Sequence, residues 1–187
     1  MLFAVYDCET TGLPLHVEAD LDRQPRIIEF GGIITDGESV LREVNFLCNP
    51  GVVLDQVITD ITGLTDHDLY DKPPFIDYLP EVRDFFIEAD CTVAHNASFD
   101  RNLLVFDLRR AGKTLKDISF PKLNICTVEE TYLAYGRRMK LIELYSELCG
   151  EYVQKHRGLD DVMVLHEVCK RIGLYDAFKE RLNENHS

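Results

Sequence analysis

The first apolar run of this chain ends on two acids. Leu2-Phe3-Ala4-Val5-Tyr6 reads as a strand and passes directly into Asp7-Cys8-Glu9-Thr10-Thr11-Gly12. Side chains at i and i+2 of a strand share a face, so Asp7 and Glu9 project together while Cys8 points the other way. Whatever fold the chain adopts has to accommodate that pair, because adjacent carboxylates repel each other and resist joint burial. A solvated strand end is one solution. A divalent cation is another, and hard oxygen ligands suit Mg²⁺ or Mn²⁺.

Two more strands follow. Residues 26–35 form the second, with Ile28, Phe30 and Gly32 on one face and Ile27, Glu29, Gly31 and Ile33 on the other. Residues 39–48 form the third, with Asp36-Gly37 as the hairpin turn between them, and residues 16–24 are a polar loop joining the first two strands. The pattern then changes. Behind Pro73-Pro74, residues 75–87 carry apolar side chains at helical spacing. Short strands are predicted at 91–94 and 123–126, and helices over 99–110, 128–135, 141–149 and 158–172, with Gly173 as the stop. Hairpin-connected strands followed by helix–strand units indicate an α/β fold, a mixed sheet flanked by helices. The 187 residues, 45% of them hydrophobic, suit a single domain over 1–187. No segment approaches the roughly 20 apolar residues of a membrane span, and no basic-then-apolar leader opens the sequence. Six cysteines without a C-x-x-C pair argue against zinc and for reduced core thiols, so a cytoplasmic setting is expected.

A third acid lies in His95-Asn96-Ala97-Ser98-Phe99-Asp100, where a strand hands over to a helix. On that helix Asp100 aligns with Leu103, Leu104, Leu108 and Ala111, at the leading end of the core-facing stripe. Asn96 or Ser98 suits a capping role. Asp100 faces inward, and an inward carboxylate needs a partner. A fourth acid lies in His156-Arg157-Gly158-Leu159-Asp160-Asp161. Asp161 aligns with Val164, Leu165, Val168 and Ile172, whereas Asp160 shares a mixed face with Glu167 and Arg171. Asp161 is therefore the inward acid and Asp160 the solvent-facing one. His156 falls on the loop before the helix and can reach the site from the side as a proton carrier.

Four acids in three separate segments thus map to strand ends and helix starts that face the core. Such convergence is what two-metal phosphoryl transfer requires, with cations about 3.5–4 Å apart activating water and stabilising the leaving oxygen. The residues by themselves point to a metal-dependent hydrolase of phosphate esters.

The three acidic segments, in this order and at these intervals, resemble the three motifs of the DEDDh 3′→5′ exonuclease family. Arg26-Ile27-Ile28-Glu29-Phe30-Gly31-Gly32 resembles the family's second strand. Ile61-Thr62-Gly63-Leu64-Thr65 and Tyr70-Asp71-Lys72-Pro73-Pro74-Phe75 resemble the connection after its third. The resemblance covers a motif-bearing core of residues 2–172 and is strongest to the proofreading epsilon subunit of bacterial DNA polymerase III. It implies a ribonuclease H-like fold with a five-stranded mixed sheet. It implies two Mg²⁺ or Mn²⁺ ions, the first on Asp7, Glu9 and Asp161 and the second on Asp7 and Asp100, with His156 as general base. The backbone near Thr10, Thr11 and Gly12, with Asn96 and Phe99, would meet the terminal nucleotide. The activity implied is release of nucleoside 5′-monophosphates from the 3′ end of single-stranded DNA or RNA. Proofreading-like work on DNA beside a polymerase subunit leads, and RNA trimming or an oligoribonuclease is the alternative. A catalytically silent module binding nucleic-acid ends or a partner is the reading from another class. It would be favoured by loss of Asp7, Glu9, Asp100, His156 or Asp161, and all five are present.

The formal net charge is −13. That argues against a strong nonspecific grip on nucleic acid, which relies on Lys and Arg. Contact should concentrate on the last few nucleotides, with a shallow salt dependence and frequent dissociation.

Overall fold

The computed structural model describes residues 1–16 and 18–184; Val17 of the predicted 16–24 loop and residues 185–187 lie outside the described residues. β1 (Phe3–Thr10) is the central strand of a five-stranded sheet. β2 (Ile27–Thr35) and β3 (Val40–Leu47) stand antiparallel on one side of it; β4 (Cys91–Ala94) and β5 (Leu123–Cys126) stand parallel on the other, giving the order β3-β2-β1-β4-β5. The α/β architecture expected from the sequence, a mixed five-stranded sheet with helices on both faces, is the one observed.

β1 runs past Asp7 to Thr10 because β2 pairs along its whole length, from Phe3 opposite Thr35 to Thr10 opposite Ile27. β4 pairs only with Phe3, Ala4 and Val5. The acidic half of β1 is therefore bare on its β4 edge. One face of the sheet packs Ala4, Tyr6 and Cys8 of β1 against α3 (Leu79–Phe86) and α4 (Ala97–Arg110). The other packs Phe3 and Val5 against α6 (Leu141–Leu148), α7 (Gly158–Arg171) and α8 (Leu174–Glu184). Alternation thus carries Asp7 and Glu9 onto the α7 face and Cys8 onto the α4 face.

The face assignment of β2 needs one correction. Glu29 pairs with Glu9 but Ile27 pairs with Thr10, so one residue of β2 is extra and the ladder bulges there. Ile27 consequently joins Phe30 in the α4-side core, and Ile28 leaves it to pack with Leu54, Leu64 and Leu69. That third cluster seats two short helices absent from the sequence reading, α1 (Gln56–Thr62) and α2 (Asp66–Leu69). The predicted 75–87 helix begins as a 3₁₀ turn, Phe75–Tyr78, and becomes α-helical at Leu79, beside Pro80, whose missing N–H is harmless only in a first turn. α5 (Thr127–Tyr135) matches its expected place, whereas α8 restarts beyond the predicted stop at Gly173.

α7 lies against β2 and β1 with nothing between backbones. A Cβ on Gly31 would stand 2.2 Å from the Gly158 carbonyl carbon, and one on Gly158 would stand 2.9 Å from the Gly31 nitrogen. Only glycine allows that approach. Among the described residues no helix is long and apolar enough to cross a membrane, and the six cysteines are free.

Candidate active site

Asp7 and Glu9 leave β1 under the start of α7. Asp161, one turn into that helix, is 3% exposed and faces them. The loop before α7 brings in His156, whose φ of 49° places it in the left-handed region. One ligand atom each from Glu9, His156 and Asp161 lie within 4.8 Å of one another. Asp7 and Asp100 fall outside that tight trio but are electrically joined to it. Asp7 feels the charge of Asp161, and Asp100 feels the charge of Asp7, so Asp7 is common to both halves of the cluster.

Asp100 reaches the site from the opposite helix layer. It is 1% exposed, and its Oδ1 accepts the Cys8 N–H at 3.0 Å on the bare edge of β1. Its Oδ2 is buried with no partner, as is Oδ1 of Asp161. Oδ2 of Asp161 accepts from Gln154 Nε2 at 2.7 Å. Asp160 points away to an ion pair with Lys155, so the inward and outward assignments of this acid pair hold.

Burial first and repulsion from neighbouring acids second push two of the carboxyls upward, Asp7 to about 7 and Glu9 to about 9. Asp100 and Asp161 also rise, chiefly through burial. Acids raised in the folded state bind more protons folded than unfolded, so stability is greatest at low pH and falls as pH climbs from the ordinary carboxylate range through about 9. In EDTA, thermal unfolding should show Tm falling by several degrees between about pH 5 and pH 9, and Mn²⁺ at the upper pH should reverse the fall. A flat Tm profile in EDTA would contradict the repulsion. The donor set fits a hard divalent ion: carboxylate oxygens, two of them orphaned, in a place where positive charge is missing.

One cation does enter the cluster. Glu29 lies directly across the sheet from Glu9, a like-charge pair that the sheet alone would not tolerate. Glu29 is 1% exposed and accepts two bonds from Arg157, Nε at 2.8 Å and Nη2 at 3.1 Å. Arg157 follows His156 and occupies the N-cap position of α7, so this fork ties the histidine loop to β2. The sequence reading missed Glu29, Arg157 and Gln154. An acid inside an apolar strand was the available signal for Glu29. Arg157→Ala strands a buried carboxylate and should cost about 1–3 kcal/mol of stability; Glu29→Gln in the same chain should recover part of it. Equal destabilisation in the single and double variants, by denaturant unfolding, would contradict the pairing.

The remaining expected residues are placed as follows. Thr11 ties the 10–12 segment to the start of β2: its N–H donates to Arg26 O and its Oγ1 accepts the Arg26 N–H, both at 3.0 Å. Thr10 is buried and donates to Gly12 O. Asn96 occupies the N-cap position of α4 with φ 68°, but its side chain makes no cap bond; Oδ1 accepts from Arg138 instead. Ser98 lies within the helix, so neither candidate cap acts as one. Phe99 is half-buried against the α4-side core. His95 bonds Thr127 Oγ1 and Met139 O, and burial lowers its pKa to about 4; it is a neutral structural residue.

The chain matches the RNase T exonuclease family over residues 4–169. It is 29% identical to the DNA polymerase III PolC-type of Bacillus subtilis (strain 168) over 192 residues, 98% of this chain and 12% of that protein. It is 30% identical to the DNA polymerase III PolC-type of Thermotoga maritima over 169 residues, 90% of this chain and 12% of that protein. The chain spans about a tenth of the length of the curated relatives it matches. The nuclease domain of 3′hExo, a DEDDh family member solved bound to rAMP, has the same fold at TM-score 0.75 and 17% identity, over 91% of this chain and 90% of that one. Exonuclease X, solved with 5′ overhanging duplex DNA, superposes at TM-score 0.62 and 22% identity, over 91% and 93%. With the family match spanning most of the sequence, this chain belongs to the exonuclease family.

Proposed function

We propose that this chain, as one exonuclease domain with its core over residues 2–172, shortens single-stranded DNA from the 3′ end. It does so in a proofreading-like role beside a DNA polymerase in the cytoplasm and releases nucleoside 5′-monophosphates. The main support is the convergence of Glu9, His156 and Asp161 within 4.8 Å, next to buried carboxylate oxygens that have no partner. Asp7, Glu9, Asp100 and Asp161 would hold two divalent ions, Mg²⁺ or Mn²⁺. When bound, such ions supply an acidified water and charge stabilisation at the leaving oxygen. His156 takes the proton of the attacking water on a ring nitrogen and carries it out of the site along its loop. The neighbouring Asp161 carboxylate stabilises the imidazolium that results. Glu29 and Arg157 hold the loop in place, and the 10–12 backbone, Asn96 and Phe99 flank the terminal nucleotide.

DNA leads because the relatives matched at 29–30% identity are DNA polymerases. RNA trimming is the second reading, favoured by the likeness to a nuclease domain solved with rAMP. The test is digestion of 5′-labelled DNA and RNA strands with Mg²⁺ or Mn²⁺. Stepwise shortening from the 3′ end, faster on DNA, is expected, and EDTA should stop it. Efficient cutting of a closed circular single strand would defeat the exonuclease reading, and faster shortening of RNA would reverse the order of substrates.

A further inference from the structure

The charge of this chain is unevenly spread. Residues 101–122 hold six of its 20 Lys and Arg residues but only two of its 33 acids. Both acids are engaged locally: Asp107 binds Arg110 and the Ile27 N–H, and Asp117 binds Thr114. Arg110 is further tied to the carbonyls of Leu21, Gln24 and Pro25. The other five cations, Arg101, Arg109, Lys113, Lys116 and Lys122, are exposed and form no ion pair among the described residues.

These five line two adjoining grooves that share Leu115 and Lys116. The first, about 470 Å³, runs between the sheet, the start of α4 and the 115–122 loop, and presents Ser98, Arg101, Lys116 and Lys122, with Glu129 the one acid in its lining. The second, about 430 Å³, presents Arg109, Lys113 and Lys116. The first groove begins beside Asp100, the acid of the α4 layer: Tyr6 in its wall feels the charges of Asp100 and Arg101. The second lies by the far end of α4, whose 14 residues span about 21 Å. A row of unpaired cations leading away from a carboxylate cluster, in a chain of net charge −13, matches a polyanion whose end lies in that cluster.

We propose that this ridge is the track for the strand upstream of the scissile phosphate, with Arg101, Arg109, Lys113, Lys116 and Lys122 holding successive phosphates. The proposal rests on the exonuclease reading. It revises the expectation that contact is confined to the last few nucleotides: the grip extends along α4, with about five phosphate contacts and a salt slope of about 3.5 on a single strand.

The experiment compares two substrates. One is a 5′-labelled twelve-residue oligothymidylate; the other is the p-nitrophenyl ester of thymidine 5′-monophosphate, which has a scissile phosphate but no upstream strand. Lys113→Ala, Lys116→Ala and Lys122→Ala are combined in one chain; all three side chains are exposed. The slope of log KM against log salt on the oligonucleotide should become shallower by about 2, and kcat/KM should fall about tenfold or more at about 0.15 M salt. The ester should be hydrolysed within twofold of the parent rate. Unchanged oligonucleotide kinetics would overturn the track and leave the ridge to an acidic protein partner. Equal loss on both substrates would overturn it too, by showing that the lysines serve the fold or the chemistry. Failure of the parent chain on both substrates would instead defeat the exonuclease reading, and the track with it.

Discussion

Asp7→Asn should abolish shortening of a 5′-labelled strand, by at least about 10³-fold, and weaken Mn²⁺ binding in calorimetry. Asp7 is the charge shared by the two halves of the cluster, felt by Asp100 on one side and coupled to Asp161 on the other. On the proposed reading its loss removes a ligand position common to both ions. The same substitution removes one buried negative charge from a site where burial and repulsion already oppose ionisation. In EDTA at about pH 8 the variant should therefore be more stable than the parent, a trade of function against stability. A variant that is inactive and also less stable in EDTA would assign Asp7 a structural role instead.

His156→Ala should fail differently. The carboxylates stay in place, so Mn²⁺ binding should persist while kcat drops by about 10²–10⁴, the usual worth of a positioned general base. Asp161→Ala should lose both binding and turnover. Asp160→Ala is the control, because its side chain points to Lys155 at the surface. A deficit in Asp160→Ala as large as in Asp161→Ala would show that the wrong member of the pair was assigned to the site. Equal loss of Mn²⁺ affinity in His156→Ala and Asp7→Asn would erase the separation between proton carrier and ligand.

Much of this site was legible in the sequence because local periodicity reports direction. Asp100 and Asp161 each sit at the head of an apolar stripe, and i+3 and i+4 spacing alone turns such acids inward. Asp7 and Glu9 share a face by the period of a strand. What stayed hidden needs a partner distant in the chain. Arg157 meets Glu29 across 128 residues, so nothing near either residue announces the fork. The bulge that sends Ile28 to a separate cluster depends on one extra residue opposite β1, and no alternation pattern contains it. α1 and α2 span seven and four residues, too short for periodicity to register; they are held by Leu54, Leu64 and Leu69 packing on Ile28. α8 lies beyond a glycine that reads as a stop. Gly173 does end α7, with φ 65°, but Leu174, Tyr175 and Phe178 find the same core and the chain resumes its helix.

The Gly31–Gly158 contact gives the site an unusual source of accuracy. Spacing between ligands on a helix and ligands on a strand ordinarily depends on the side chains packed between them, and drifts when those are exchanged. Here the two backbones meet directly, so the separation of Asp161 from Asp7 and Glu9 is gauged by bond lengths and atomic radii. Ordinary substitutions in the core below, Ile to Val or Leu to Met, can repack without resetting that gauge. A single methyl at either glycine, by contrast, would lift the leading end of a fourteen-residue helix and carry Asp161 and the histidine loop away together. Two residues with no side chain and no chemistry thereby set the tolerance of the whole reaction centre, and mutational sensitivity should peak there as sharply as at the acids themselves.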